Sequence, residues 1–187
     1  MEYNEKELKI KLNSLVGETI KSVFYQTNDE ENNMFYNLRD EVIEVPLLGI
    51  LLETKSNKLY NIINYDYVPY YGLEGILFFY DENLISPNER PNQINESFWN
   101  RFKNKKIINI SIINSFYKIS NKKRVIPLGI KLNFESNEEC YIMNLTLESF
   151  ISDKKKYEIS HGGGLVIFSN RKNFEKHINL KSQDFLY

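Results

Sequence analysis

A chain of 187 residues with 42% hydrophobic and 14% aromatic content can bury a real core, so it suits one domain or two small, closely packed ones. A single cysteine, Cys140, excludes an internal disulfide and a thiolate cluster for zinc, and the longest apolar run, VPLLGILL from Val45, is far too short to span a bilayer. The opening MEYNEKELKIK is charged throughout and carries no secretory pattern, so the expected location is the cytoplasm.

Leu8, Leu12, Leu15 and Val16 recur at helical spacing and Gly17 follows as a stop, which predicts an amphipathic helix over residues 4–16. Thr19 to Thr27 is rich in β-branched and aromatic residues and reads as a strand. Residues 28–41 (NDEENNMFYNLRDE) are polar and acidic and read as a long loop or a short hairpin insertion. Strands follow at 47–54 and 58–66 around a turn at Ser56-Asn57, then at 75–80. DENLISPNERPNQINE, 81–96, has two prolines and little apolar content, as a linker would. Ser97 is placed to cap a short helix to Phe102, and strands are predicted at 106–117, 126–135, 139–147 and 164–169, with a turn at Ser136-Asn137. A closing helix near 171–179 starts at Asn170 or a neighbour.

The chain repeats itself. GILLETKSNKLYNIIN (Gly49 to Asn64) and GIKLNFESNEECYIMN (Gly129 to Asn144) share seven of sixteen positions without a gap. Pro46 and Pro127 precede the two copies, and GILFF at Gly75 is echoed by GLVIF at Gly164. Upstream, Leu12, Leu15, Ile20 and Val23 match Trp99, Phe102, Ile107 and Ile110 at the same spacings. A repeat of about ninety residues is too long for a solenoid unit and suits two halves of one small protein. The expected fold is therefore α+β and mainly antiparallel β, as two pseudo-repeated helix-plus-four-strand units: an acidic unit at 1–80, a linker at 81–96 and a basic unit at 97–187 ending in a helix. Glycine before the first strand of each hairpin permits a bulge or a close backbone approach, and Asn64 and Asn144 close both hairpins. A duplicated ligand site is the other reading of these paired residues.

The formal net charge of −1 conceals a division. Residues 1–96 carry 8 basic against 17 acidic residues, and residues 97–187 carry 16 against 8. Either the halves attract one another, or one face meets a charged partner.

Catalytic chemistry finds little footing. His161 before Gly162-Gly163-Gly164 could present backbone amides to an anion, but the run leads into a strand rather than a helix. Ser160-His161 with Asp153 lacks the geometry of a nucleophile set, and His177 sits on the closing helix. Cys140 falls in a strand-like run and reads as a buried thiol. Glu30-Glu31 and Glu138-Glu139 lie in polar, turn-like stretches. No catalytic residue, metal or cofactor is expected. Lys103, Lys105, Lys106, Lys118, Lys122, Lys123 and Arg124, interleaved with Phe102, Phe116 and Tyr117, resemble the mixture of phosphate contacts and stacking platforms that binds single strands. Direct binding of RNA or single-stranded nucleic acid is thus the alternative to a protein partner.

Many tyrosines and asparagines, an acidic aromatic loop and a lopsided charge suit a protein made to bind another protein. In size, composition and lack of active-site motifs the chain resembles the bacterial immunity proteins that neutralise polymorphic toxins, including those of contact-dependent growth inhibition. The resemblance implies a non-catalytic protein that covers a cognate toxin domain, often a basic nuclease. Its expected contacts are Asp29, Glu30, Glu31, Phe35, Tyr36, Asp40, Glu41 and Glu44, where six carboxylates flank an apolar Met-Phe-Tyr anchor.

Overall fold

The computed structural model describes residues 3–26, 43–44, 49–68, 73–80, 96–119, 122–146, 163–177 and 185–186. In chain order the elements are α1 (Glu5–Asn13), β1 (Ile20–Gln26), β2 (Ile43–Glu44), β3 (Gly49–Thr54), β4 (Leu59–Val68), β5 (Leu73–Tyr80) and α2 (Glu96–Trp99). They continue with β6 (Ile107–Ile119), β7 (Lys122–Phe134), β8 (Glu139–Thr146), β9 (Gly163–Phe168), α3 (Arg171–His177) and β10 (Phe185–Leu186). The protein is α+β and dominated by antiparallel strands.

Local chemistry sets the helix ends. The Asn4 side chain accepts a hydrogen bond from the Glu7 N–H at 3.2 Å and so starts α1, which buries Leu8 and Leu12. The helix stops at Asn13, short of the predicted 16. There the Ser14 hydroxyl donates to the Lys11 carbonyl at 2.6 Å, and tight turns lead to Gly17 at φ 90°. The α2 helix opens at Glu96, one residue before the predicted start, so Ser97 lies inside it rather than at its cap. Asn170 does cap α3, accepting from the Asn173 N–H at 2.9 Å. The predicted linker, apart from Glu96, lies outside the described residues.

Two sheets result. One has the order β1-β3-β4-β5, and the other contains β6-β7-β8-β9 in the same sequence of pairings, with β10 and β2 added at its two edges. Pairing is antiparallel throughout except between β10 and β6. The β3–β4 and β7–β8 turns are built alike: the Asn57 N–H reaches the Thr54 carbonyl and the Asn137 N–H the Phe134 carbonyl, both at 3.0 Å. Asn57 and Asn137 hold φ of 61° and 65°, the left-handed region that asparagine tolerates. The strands β2 and β10 were not foreseen from the sequence. Ile43 and Glu44 pair with Phe168 and Ile167 of β9, so a piece of the first half finishes the edge of the second half's sheet.

One apolar core serves both sheets. Leu8, Leu12 and Leu15 from the first turn region and Phe98, Trp99 and Phe102 from the second join Ile50, Leu52, Ile62, Ile130, Leu132 and Ile142 in a single buried cluster. Alternating strand residues deliver these side chains to one face. Phe174 of α3 covers part of the opposite face of the second sheet, stacking on Tyr141 with centroids 4.3 Å apart.

The halves also touch through their backbones. The Gly17 N–H donates to the Ile107 carbonyl at 2.8 Å, the Asn104 N–H donates to the Ile20 carbonyl at 3.0 Å, and Thr19 bridges Lys106. Leu128 is the extra residue of a bulge between Pro127 and Gly129, which pair with Asn114 and Ile113. Gly75 comes so close to the second half that a Cβ there would stand 2.5 Å from the Pro127 carbonyl oxygen. Of the two glycines expected to permit a bulge or a close approach, Gly129 does the latter, since a Cβ there would stand 2.5 Å from the Ile142 carbonyl oxygen.

Candidate functional site

The acidic stretch is bracketed by strands of different sheets. Its leading end leaves β1 at Gln26, and its trailing end arrives in β2 on the far edge of the six-stranded sheet. Asp29, Glu30, Glu31, Phe35, Tyr36, Asp40 and Glu41 lie outside the described residues. Glu44 is placed by its backbone in β2, opposite Ile167.

The basic residues divide. Lys103, Lys105 and Lys106 precede β6, whereas Lys118 ends it and Lys122, Lys123 and Arg124 open β7. At about 3.3 Å per residue, the dozen positions from Lys106 to Lys118 separate the groups by roughly 40 Å. A cluster in sequence is thus two groups in space. Lys105 of the first group is engaged by Glu138 in an ion pair.

Seven described ion pairs each stay within one half. Lys9–Glu5, Lys11–Glu7, Lys21–Glu53 and Lys58–Glu18 belong to the first, and Lys105–Glu138, Lys131–Glu139 and Arg171–Glu175 to the second. Two of them occupy matching positions of the aligned halves with their charges exchanged. Where Lys58 at the hairpin turn meets Glu18 at 2.7 Å, Glu138 at the second turn meets Lys105. The described contacts between the halves use other groups as well. The Trp99 indole N–H donates to the Tyr25 hydroxyl at 2.7 Å, the Tyr3 hydroxyl donates to the Asn114 amide oxygen at 2.9 Å, and the Asn114 amide donates to Glu5 at 3.2 Å. Asn144 donates its amide both to the Asn64 side-chain oxygen and, at 3.2 Å, to the Gly75 carbonyl. Asn64 in turn donates to Glu74 at 2.7 Å. The paired asparagines of the repeat therefore bind each other across the sheets.

The described titratable groups with shifted ionisation lie in packed or hydrogen-bonded positions. Burial would raise the Glu18 carboxyl, but hydrogen bonds from Lys58 and from Ser56 at 2.5 Å hold it below the usual carboxylate range. Burial likewise opposes the ionisation of Glu139, and Lys131 and the Tyr141 hydroxyl overcome it, the latter at 2.8 Å. Burial and the nearby Glu5 charge push the Tyr3 phenol up to about 12 against the Asn114 hydrogen bond. Burial pushes the Cys140 thiol up and Arg101 offsets this only in part, so Cys140 is an inert core residue, as its strand position implied. His161, Ser160 and Asp153 lie outside the described residues, as do Glu30 and Glu31.

A depressed native carboxyl stabilises the fold above the unfolded pKa of about 4.3, and that contribution is lost as pH falls through the lower folded value. Glu18→Gln should therefore cost about 1–2 kcal/mol at pH 7, between exposed and charge-assisted buried values, and the cost should shrink at low pH. Urea midpoints at pH 7, 5 and 3 check this. An equal loss at all three would show that the Glu18 charge contributes nothing.

The described surface has two notable clefts. One of about 510 Å³ is lined by Arg101, Glu138, Glu139, Ser169, Arg171 and Lys172 among others. Its carboxylates already hold Lys105 and Lys131, and one Glu138 oxygen is buried without a partner. The other, about 280 Å³, lies between α1 and β6 beside Glu5, Lys9 and Ile110. Among the described residues no group of histidine, cysteine and carboxylate side chains could hold a metal ion, and no helix is long and apolar enough to cross a membrane. That β2 is a strand had one legible signal, the apolar-charged alternation of Ile43-Glu44-Val45, whereas β10 had none. Set against protein-family models, curated proteins and solved structures, the chain matches none of them.

Proposed function

We propose that the protein is a non-catalytic binding protein that blocks a basic partner, in the manner of an immunity protein neutralising a cognate bacterial toxin domain such as a nuclease. The observation that carries this reading is the placement of charge. If the acidic and basic halves existed to attract each other, ion pairs would be expected across their boundary. The seven described pairs instead lie within the halves, which meet through an apolar core and through Trp99, Tyr3 and the two asparagines. The surplus of carboxylate in the first half of the sequence suits a basic partner.

The two halves are read as copies of one helix-plus-four-strand unit. Supporting this are the shared strand order, the matching asparagine turns, the reciprocal bonds Gly17–Ile107 and Asn104–Ile20, and the exchanged ion pairs at Glu18–Lys58 and Lys105–Glu138. The exchange keeps the local pairing while letting each surface acquire its own sign. Residues 12–80 are expected to superpose on 99–169.

Asp29, Glu30, Glu31, Asp40, Glu41 and Glu44 supply steering charge, and Phe35 and Tyr36 supply the anchor. The stretch that carries them runs between β1 and β2, so its two ends are tethered to separate sheets. A stretch fixed at both ends loses less entropy on binding than a free tail. The product of the neighbouring gene is the first partner to test by co-purification. Reversing Asp29, Glu30, Glu31, Asp40 and Glu41 to lysine should slow association at least tenfold at low salt and leave less difference at high salt. Phe35→Ala and Tyr36→Ala should mainly speed dissociation. Unchanged kinetics in all these variants, with binding abolished by neutralising Lys103, Lys105 and Lys106, would place the interface on the other half.

A further inference from the structure

The outer side of β6 is engaged at its two ends. At the start, the Gly17 N–H donates to the Ile107 carbonyl, the Ile107 N–H donates to the Glu18 carbonyl at 2.9 Å, and Thr19 bridges Lys106. At the other end β10 pairs with Tyr117 and Lys118. From Ile108 to Phe116 the described ladder partner of β6 is β7 alone. A cleft of about 280 Å³ lies along this stretch, lined by Ile110, Ser111 and Ile112 together with Lys9 and Leu12 of α1. Successive residues of a strand face opposite sides of the sheet, so a cleft that touches three in a row opens on the strand's edge. Asn109 and Ser111 are exposed, and Ile108 is 51% exposed.

Open backbone groups on an edge invite another strand, and proteins ordinarily deter it with a charge, a proline or a cover. The other long edges of this chain follow that rule: β1 carries Lys21, β5 carries Glu74, and β9 is finished by β2. Ile107 to Phe116, IINISIINSF, holds no charge and no proline, and half of it is isoleucine, a strong strand former. On the reading of the halves as copies, the matching place beside β1 is filled. There Trp99 aligns with Leu12, its indole reaches Tyr25, and Val23 and Tyr25 are buried. Beside β6 the smaller Leu12 and Ile112 leave the cleft.

We propose that the outer edge of β6 pairs antiparallel with β6 of a second copy of this chain, forming a twofold dimer whose axis passes at Ser111. This register sets Ser111 against Ser111 of the partner subunit and Ile110 against Ile112 of the partner subunit. Residues 108 to 114 then pair, a run that fits between the contacts at Ile107 and Tyr117. Ile110 and Ile112 pack against the apolar core, so the four isoleucines gather on the core side of the joined sheet, over the two clefts. The edge offers no charge for a charged partner to meet, and pairing it with itself opposes no like charges. Twofold dimers are also the commonest closed assemblies. The dimer does not depend on the role read for the acidic stretch.

The test is sedimentation equilibrium of the full chain over a hundredfold range of concentration, with cross-linking to fix the register. Twice the mass of the chain is expected at the upper end. Ser111→Cys should form a disulfide-linked dimer under air oxidation, since directly opposed residues of an antiparallel pair stand about 4.5–5.5 Å apart. Asn109→Cys should not, because its two copies lie about 14 Å apart along the strands. Cys140 is buried and does not compete. The paired substitutions Asn109→Lys/Ser111→Lys, at exposed positions, put like charges across the joint and should raise the dissociation constant at least about tenfold. Glu175→Lys makes the same change of net charge on α3, away from β6, and should leave the dimer intact. Circular dichroism melts confirm that each variant is folded. A monomer at every concentration overturns the proposal, whether the edge stays empty or takes a segment of its own chain. So does a dimer that survives the lysine pair, which places the interface elsewhere. Equal cross-linking at Asn109 and Ser111, or an equal loss in Glu175→Lys, overturns it as well.

Discussion

Trp99→Ala is expected to lower the unfolding free energy by about 3–5 kcal/mol, a large share of the roughly 5–15 kcal/mol that holds a domain of ordinary stability. Trp99 is 1% exposed and lies edge-on to Phe98 and Phe102, with centroids 5.4 and 5.6 Å away. Its indole N–H reaches Tyr25 on β1, so one side chain serves the shared core and also ties the second half's short helix to the first half's sheet. Truncation removes the area and leaves a cavity that rigid strands on both sides can close only in part. Trp99→Phe separates the two contributions. It keeps most of the apolar surface, loses the hydrogen bond, and should cost about half as much. Urea unfolding followed by far-ultraviolet circular dichroism measures both. A loss below about 1 kcal/mol for the alanine variant would mean that this cluster is not central to the core.

Gly129→Val should come close to the same effect by the opposite route. A Cβ at position 129 would stand 2.5 Å from the Ile142 carbonyl oxygen and would also meet the Met143 sulfur. A methionine side chain can move aside, but a carbonyl oxygen belongs to β8 and moves only with the strand. The valine must therefore push β7 and β8 apart where Gly129 pairs with Met143. Overpacking of this kind costs about 1–3 kcal/mol or more, and the unmet backbone groups add to it. Gly129→Ala should show the smaller part of the penalty. Gly17→Ala provides a contrast: nothing lies within 4 Å of its added methyl, so only the φ of 90° is strained. That cost is about 1–2 kcal/mol. If the variants at 129 prove milder than Gly17→Ala, the close approach of β7 and β8 is not as tight as described.

Much of the architecture was legible because its determinants are local. The turns at Asn57 and Asn137, the cap at Asn170 and the apolar runs of β3 and β8 all write themselves into a few adjacent residues. The strand ends were harder, as in β7, which begins at Lys122 rather than near 126. Three consecutive cations after polar neighbours gave no sign of pairing, yet β6 supplies a ladder partner for each. Long-range partners were invisible for the same reason. Nothing near Ile43-Glu44 points to β9, and nothing near Phe185-Leu186 points to β6. For the site, sequence grouped seven cations that the fold separates, because chain proximity along a strand overstates spatial proximity by 3.3 Å per step, about. It marked Asn64 and Asn144 as a pair without showing that their amides meet.

The small β2–β9 ladder also orders events in time. Ile43 and Glu44 find their partners in Phe168 and Ile167, residues made more than a hundred positions later on the ribosome. The first sheet can assemble while synthesis continues, but the downstream tether of the acidic stretch has no place to dock until β9 has emerged. A partially synthesised or prematurely terminated chain would carry the same carboxylates and aromatics without that second fastening. Docking of β2 therefore waits on synthesis of β9, in the other half of the chain.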